Sequence, residues 1–541
     1  MRNHGIGSWT ARRARKTPGK TAIVHGETRR TYLELHVRVC RLARALRGLG
    51  VRPGDRVAYC GPNHPAFLET LFATGMLGAV FVPLNMRLTG PELAYHLTDS
   101  GSGVLVHAPE QASVVAEARD AMAGDAVPRG VAFVALAGPE PGSSGYEELL
   151  ASSSGEPIDE PVGLDDPCMI LYTSGTTGRP KGAVLTHGNV VWNAVNVLVD
   201  VDLAADEVAL VVAPLFHTAG LNMICLPTLL KGGTVVLMPA FDPAEVLRTI
   251  AAHRVTYMFG VPVMFDAMAA CPAWEAADLS SLRRLNCGGS PVPRATIDAY
   301  LARGLSFSQG YGMTEASPGV LYLAAGDAVR KAGTAGVPHF FTDVRLVDGD
   351  LRDVGPGEKG EVLVAGPNVM AGYWGRPDET ARAMAGGWFR SGDVAVLDAD
   401  GYATIVDRVK DVIISGGENV YPAEVEAALR DHPAVADCAV IGVPDDRWGE
   451  VGRAIVVLRA GEDPDGRPAG RPEEDDLVAF LRDRLAKYKI PKSVVFAAEL
   501  PRNPAGKILK KALRDRYARP DRPPDSWSWA SSATPSDSRD S

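Results

Sequence analysis

The stretch Tyr172–Gly182, YTSGTTGRPKG, decides how the rest of the chain is read. Its small hydroxyl and glycine residues leave backbone N–H groups free to face an anion, and Lys181 adds a positive charge beside them. The apolar run CMIL, Cys168–Leu171, precedes it as a strand would, and AVLTHGNVVWNAVNVL follows with strand spacing that passes into helical spacing. A loop in that setting suits a phosphate cradle. It is not the common P-loop, because Lys181 follows Arg179 and Pro180, whereas that pattern sets a Gly-Lys pair before Ser or Thr. On composition alone a flexible Gly/Ser/Thr linker is an equal reading. The ordered combination of glycines, hydroxyls and a lysine favours the cradle.

At 541 residues the chain exceeds one ordinary core, so two or more domains are expected. Hydrophobic residues make up 46% and charged residues 22%, the balance of an ordinary globular protein. A formal net charge of −9 argues against general nucleic-acid binding, which calls for a basic face. The 7 cysteines, scattered from Cys40 to Cys438, form no CxxC pair and are odd in number. Neither a disulfide framework nor a zinc site is expected, and a reducing cytoplasm suits them. No apolar run approaches the roughly 18 residues needed to span a bilayer. The N-terminal arginines lack the apolar segment of a secretory signal.

From Tyr32 to Leu49, Leu35, Val39, Leu42 and Leu46 share one face, which predicts an amphipathic helix. Helix-like and strand-like runs then alternate to about Tyr311, implying α/β layers. Pro139–Pro161, rich in Gly, Ser, Pro and acid, reads as a solvated connection. Between Gly333 and Asp400 short strands separated by Asp-Gly and Pro-Gly turns predict a compact β subdomain. Pro422 opens a helix with Val425 and Leu429 in its apolar stripe and Glu424 near its positive end. A boundary near Lys410 gives an N-terminal domain, 1–409, of α/β layers plus the β subdomain, and a small mobile α+β domain, 410–517. The last stretch, 518–541, has too few core-forming groups and is expected to be disordered.

The cradle resembles the phosphate-loop signature of the acyl-CoA synthetase, luciferase and peptide-synthetase adenylation family, which makes acyl-AMP from a carboxylic acid and ATP. Three further stretches resemble that family's motifs in order: QGYGMTEA at Gln309–Ala316, WFRSGDVAVLDADGY followed by DRVKD, and LPRNPAGKILKK. The likeness spans Gly19 to Tyr517. Joining a carboxylate to the α-phosphate brings two anions together, so cations and oriented N–H groups are needed. The resemblance implies that Thr173, Ser174, Gly175, Thr176, Thr177, Gly178 and Lys181 hold the pyrophosphate part. Tyr311 offers an aromatic plate with Gly312 beside it, Thr314 a phosphate-directed hydroxyl, and Glu315 a carboxylate suited to Mg²⁺, which prefers oxygen. Glu315 and Thr176 are the implied metal ligands, and Gly288, Gly289 and Ser290 lie between adenine and acyl group.

By the same resemblance Asp393 binds the ribose and Arg408 ribose or phosphate, although alone they could be a surface ion pair worth little. Lys410 falls at the family's hinge. Lys507 bridges acid and α-phosphate, a role that its Pro-Ala-Gly turn alone would not suggest. For CoA, Gly416 and Gly417 line the pantetheine tunnel, and Trp448 and Tyr488–Lys492 lie near the nucleotide; Ile490 stands where some relatives have Arg. In PLFHTAGLNM, His217 is a candidate tunnel gate or a satisfied core histidine. Asn222, Met223, Phe259, Gly288, Pro318, Gly319 and Val320 are candidate acid-pocket lining.

MRNHGIGSW, GPNHPAFLETLFA, GVPHFFTDVRL and GGENVYPAEVE are similar to actinomycete feruloyl-CoA and related aryl-CoA synthetases. The expected activity is AMP-forming ligation of an aromatic acid, hydroxycinnamate- or benzoate-like, to CoA, with ATP and Mg²⁺. Two alternatives share the ATP residues. One is a diazotase that activates nitrite for an aryl amine; the other is an acyl-AMP ligase loading a carrier protein, which the absence of a fused carrier domain disfavours.

Overall fold

The computed structural model describes residues 2–122, 130–173, 180–289, 292–408, 411–415, 418–445, 448–459, 472–482, 484–485, 487–502 and 507–518. Contacts divide the chain into two compact units, Met1–Ile405 and Val406–Ser541. Lys410, the expected boundary, lies outside the described residues, and so does the tail from residue 519 that was expected to be disordered.

The first unit contains two large sheets. One has eight strands, running in space 372–373, 181–186, 167–173, 80–84, 56–60, 102–107, 132–135 and 143–145. Arg56–Cys60 is parallel to both Val80–Leu84 and Ser102–His107, and all three are almost wholly buried, as strands covered on both faces are. Pro167–Thr173 and Lys181–Thr186 form an antiparallel pair with Thr173 opposite Lys181. That register fixes both ends of the segment expected to be the phosphate loop.

The other sheet has nine strands. Thr21–His25, Thr234–Leu237, Val208–Val211, Tyr257–Gly260, Arg284–Gly288 and Phe307–Gly312 run parallel, and Gly319–Leu323 returns antiparallel on the last of them. The turn at 313–318 therefore sits at the carboxyl end of a parallel strand, where open α/β sheets place their ligands. As the turn-rich sequence predicts, a smaller sheet follows from Asp343–Val347, Lys359–Ala365, Trp388–Leu397 and Met384–Ala385, and the strand beginning at Ala403 pairs with Trp388–Leu397.

Every residue of the helix Pro65–Met76 is buried, including Glu69. Its carboxylate, 0% exposed, accepts from Arg30 Nη1 at 2.9 Å, Arg38 Nε at 2.8 Å and Nη2 at 3.1 Å, and Tyr146 OH at 2.7 Å. A lone carboxylate there would cost several kcal/mol; these donors offset that cost. Tyr146 lies inside Pro139–Pro161, where a solvated connection was expected. Instead that segment contains the strand Ser143–Gly145 and the helix Tyr146–Ala151, with Tyr146 and Leu150 in the core. Its anchor is a carboxylate far away in sequence, which local composition does not reveal.

The N-terminal segment is stitched into the same unit. Ile6 N–H donates to His187 Nδ1 at 3.2 Å, and a Cβ on Gly7 would stand 2.2 Å from the carbonyl carbon of Gly75, so only glycine permits that approach. In the second unit Val435–Asp445 and Gly449–Leu458 form a long hairpin, joined by Ile413–Ser415 and Ser493–Phe496. The helix Pro422–Arg430 starts as predicted and buries Val425 and Leu429. Glu426 accepts from Val440 N–H at 2.8 Å and pairs with Lys510 Nζ at 2.8 Å. Among the described residues no helix is long and apolar enough to cross a membrane.

Burial pushes His64, His187 and His217 down to about 4 from an ordinary value of 6.5. They stay neutral in the fold, while in the unfolded chain they take protons near their ordinary value, so the unfolded state binds more protons between about pH 4 and 6.5. Their contribution to stability is complete above that window and is lost as pH falls through it. The unfolding midpoint measured by calorimetry should fall between pH 7 and pH 5, and His187→Gln should flatten that slope.

Candidate active site

The helix Gly90–Ser100 holds both ends of the expected phosphate loop, Tyr172 before it and Pro180 after it. Tyr172 OH donates to Asp99 Oδ2 at 2.8 Å, Arg376 Nη2 to Asp99 Oδ1 at 2.6 Å, and Tyr95 OH to Pro180 O at 3.0 Å. The ring of His96 meets Tyr172 edge-on, centroids 4.3 Å apart. Ser174, Gly175, Thr176, Thr177 and Gly178 lie outside the described residues. Thr173 and Lys181 bound them, with Thr173 Oγ1 3.5 Å from Lys181 O. Lys181, its side chain 14% exposed, forms an ion pair with Glu379 of the helix Pro377–Ala383, and its Nζ sits 5.1 Å above the Tyr373 ring.

Tyr373 links this cation to the next candidate. Its hydroxyl donates to Glu315 Oε1 at 3.0 Å, while Met370 N–H donates to the backbone oxygen of Glu315 at 2.8 Å. Burial, and then the Glu315 carboxylate, push the Tyr373 phenol well up, so it stays a donor. Glu379, Lys181, Tyr373 and Glu315 thus form one chain of contacts.

The strand Phe307–Gly312 delivers Tyr311, whose hydroxyl donates to Asp393 Oδ2 at 2.7 Å. Asp393 is 5% exposed and Tyr311 half-buried, so the structure brings two separately chosen candidates together in a part-buried pair. Gly312 is required where it stands: a Cβ would lie 1.8 Å from Pro318 O, and Met313 N–H donates to that same oxygen at 3.0 Å. Thr314 and Glu315 occupy a single 3-10 turn, and Ser317 follows with φ +73.

A set of asparagines, of which the motif reading named only Asn222, ties this turn and its neighbouring loops together. On the helix His187–Asp200, Asn189 Nδ2 donates to Pro367 O and Val369 O, both at 2.8 Å. Asn193 Oδ1 accepts from Gly319 N–H at 3.0 Å and its Nδ2 donates to Asn222 O at 2.9 Å. Asn196 Oδ1 accepts from Phe341 N–H at 2.8 Å and its Nδ2 donates to Thr342 Oγ1 at 3.1 Å, while Asp200 pairs with His339. From other segments Asn222 Nδ2 donates to Ser317 O at 3.1 Å, and Asn368 Nδ2 to Ala316 O and Gly319 O, both at 2.8 Å. The signal was present: asparagine is a poor helix former, and three at i, i+4 and i+7 share one face.

His217 precedes a π-helical stretch, Ala219–Cys225, that carries Asn222 and Met223; such turns recur at functional sites. Asn63 fixes its approach by accepting from Leu215 N–H at 2.8 Å and donating to Ala213 O at 3.1 Å. Burial, then Arg87, keep His217 neutral. Tyr257 OH donates to Met223 O at 2.8 Å, and a Cβ on Gly288 would touch the Phe259 ring at 3.5 Å, so Asn222, Met223, Phe259, Gly288, Pro318 and Gly319 belong to one neighbourhood. Val320 does not join them; its side chain packs with Leu346, Val362 and Ala395 of the β subdomain. Asn286, opposite Phe259 in the ladder, was missed: it is buried and its Oδ1 has no hydrogen-bond partner among the described residues.

In the second unit, Asp407 Oδ2 accepts from Ala423 N–H at 2.8 Å at the start of Pro422–Arg430. Arg408 ends a strand, and its side chain lies outside what is described, as do Ser290, Lys410, Gly416 and Gly417. Trp448 is 40% exposed, and Lys507 is exposed beside the Arg502 to Ile508 bridge. Lys489 pairs with Glu424 at 2.5 Å, and Ile490 packs on the unit's core, which explains an apolar residue at that position.

The family profile of AMP-binding enzymes matches residues 10–374, and that of the AMP-binding enzyme C-terminal domain matches 424–507. The chain belongs to the AMP-binding enzyme family. A feruloyl-CoA synthase of an Amycolatopsis species is 59% identical over 517 residues, covering 96% of this chain and 100% of that protein. The indoleacetate–CoA ligase of Aromatoleum aromaticum is 44% identical, covering 95% and 98%. Among solved structures, an anthranilate CoA ligase in complex with anthranoyl-AMP superposes with a TM-score of 0.85 at 27% identity, covering 95% and 98%.

As a member of this family the chain is an acid–thiol ligase that uses ATP, Mg²⁺ and CoA. Mg²⁺ prefers oxygen and is held by one or two carboxylates plus substrate phosphates, which fits a turn that offers the Glu315 carboxylate and the Thr314 hydroxyl next to a phosphate loop. When bound, it neutralises charge on the phosphates. Beside that turn, Tyr373 and Glu379 hold the Glu315 carboxylate and the Lys181 ammonium in place. Gly312→Ala should abolish acid-dependent pyrophosphate exchange, a loss of about 100-fold or more, because the new methyl displaces the 313–318 turn; radiolabelled exchange measures it.

Proposed function

We propose that the acid is aromatic, a hydroxycinnamate or a benzoate-like relative, and that its acyl group passes through acyl-AMP to CoA. The supporting observation is the 59% identity to feruloyl-CoA synthases along nearly the whole chain. Asn286 adds chemistry of its own: a buried amide oxygen without a partner costs free energy that a phenolic hydroxyl would relieve. Phe259 beside it suits an aromatic ring.

In the first half-reaction a carboxylate oxygen attacks the α-phosphorus and pyrophosphate leaves with the bonding pair. In the second the CoA sulfur attacks the acyl carbon, its proton is lost, and AMP leaves. Thr173, Ser174, Gly175, Thr176, Thr177, Gly178 and Lys181 are assigned to the pyrophosphate part, Glu315 and Thr176 to Mg²⁺, and Tyr311, Asp393 and Arg408 to the nucleoside. Lys507 is assigned to the adenylation transition state, Gly416, Gly417 and Trp448 to CoA, and Lys410 to a pivot between domains 1–409 and 410–517.

Incubation with MgATP, CoA and a hydroxycinnamate should yield AMP, pyrophosphate and the aryl thioester, with kcat/KM at least about tenfold above that for a long-chain fatty acid. A reversed preference, or turnover only with nitrite and an aminobenzoate, would overturn the reading. Lys507→Ala should lower acyl-AMP formation about 100-fold or more yet spare thioester formation from supplied acyl-AMP; rapid-quench assay of each half-reaction separates the two.

A further inference from the structure

We propose that Tyr373 is a positioning residue of the adenylation step: its hydroxyl fixes the Glu315 carboxylate while its ring face seats the Lys181 ammonium. The inference rests on the assignment of Glu315 to the metal and of Lys181 to the phosphates.

The ring is held by its backbone on both sides. Tyr373 pairs with Ala183 and Gly372 with Val184 in the strand that Lys181 begins, while Trp374 N–H donates to Gly182 O at 2.8 Å and Ala371 N–H to Val184 O at 3.0 Å. Tyr373 N–H donates to Thr380 Oγ1 at 2.9 Å, tying it to the helix that carries Glu379. Its side chain is therefore set by the sheet that sets the phosphate loop. A phenol donating to a carboxylate makes a charge-assisted bond, stronger than one between neutral groups. That bond, 3.0 Å to Oε1, stops rotation of the Glu315 carboxylate and leaves Oε2 outside it. The other face of the arrangement is the Lys181 ammonium, 5.1 Å from the ring centroid, where the negative ring face attracts a cation.

One side chain thus sets two opposite charges that come from motifs far apart in sequence, and it does so without a charge of its own. Groups that orient a metal ligand in this way typically change metal affinity by 10- to 100-fold when removed. A side chain that only filled space would be replaced by phenylalanine without consequence.

The test uses the full-length enzyme and Tyr373→Phe, with Tyr373→Leu and Glu315→Gln beside it. Two quantities are read: the Mg²⁺ concentration for half-maximal adenylation, and the Mg²⁺-dependent part of the rise in melting temperature produced by a non-hydrolysable ATP analogue. Tyr373→Phe should leave the ligand-free melting temperature and the KM for the acid unchanged, raise half-saturating Mg²⁺ about tenfold and shrink the Mg²⁺-dependent shift. Tyr373→Leu should in addition raise the KM for ATP. If Tyr373→Phe matches wild type in both readouts while Glu315→Gln alters them, the role of Tyr373 is refuted and the assignment of Glu315 stands. If Glu315→Gln alters neither, that assignment itself fails. An equal rise in the constants for Mg²⁺, ATP and acid would mark general loosening and would likewise overturn the proposal.

Discussion

The polar face of the helix His187–Asp200 is the constraint on which the site geometry depends. Loops at the ends of strands carry backbone groups that no neighbouring strand satisfies, and buried ones must find partners elsewhere. Here the partners are amide side chains: Asn189 takes two carbonyls from 367–369, Asn193 takes Gly319 and Asn222, and Asn196 takes Phe341 and Thr342. Each such bond is worth about 1 kcal/mol net, whereas stranding a buried partner costs more. The helix accepts poor helix formers in exchange for fixed loops. Because Asn222 also donates to Ser317 O, the π-helical stretch and the turn bearing Glu315 hang from one asparagine pair.

Contacts of this kind explain what was legible in the sequence. The hairpin around the phosphate loop, the amphipathic helix Tyr32–Gly48, the turn-rich β subdomain and the helix at Pro422 announce themselves through periodicity and turn residues, which act locally. Tyr311 and Asp393 could each be chosen from a motif, but their mutual bond spans the nine-stranded sheet and the β subdomain, and no local pattern records it. The same holds for Tyr146 on Glu69, which anchors in the core a connection that is otherwise largely exposed. Val320 shows the reverse: neighbours in sequence were assigned to one pocket, yet Val320 belongs to the hydrophobic cluster of Leu346, Val362 and Ala395.

Tyr373 and Glu379 went unread for a related reason. They sit in GYWGRPDET, whose Gly and Pro signal turns and whose acids suggest a solvated surface. Only the ladder between Gly372–Tyr373 and the strand Lys181–Thr186 brings them to the phosphate loop. A two-residue strand is too short to show a period, so its pairing is a property of the sheet and not of the segment.

The ion pair of Lys181 with Glu379 changes how the loop lysine should be weighed. A lysine side chain that is only 14% exposed has given up much of its hydration, and an opposite charge beside it recovers part of that loss. If Lys181 receives the polyphosphate, as the proposed assignment has it, that attraction is offset by the interaction with Glu379 that it weakens. The free energy gained is a difference, not the full Coulomb energy of a bare cation and an anion. A loop with an unpaired lysine would hold nucleotide and pyrophosphate alike more tightly. Such uniform binding deepens the ground state and does nothing for the chemical step, which is hastened only by interactions that strengthen as the reaction proceeds. On that assignment, pairing Lys181 with Glu379 moderates binding at the loop and leaves acceleration to groups that act on the charge developing at the α-phosphorus.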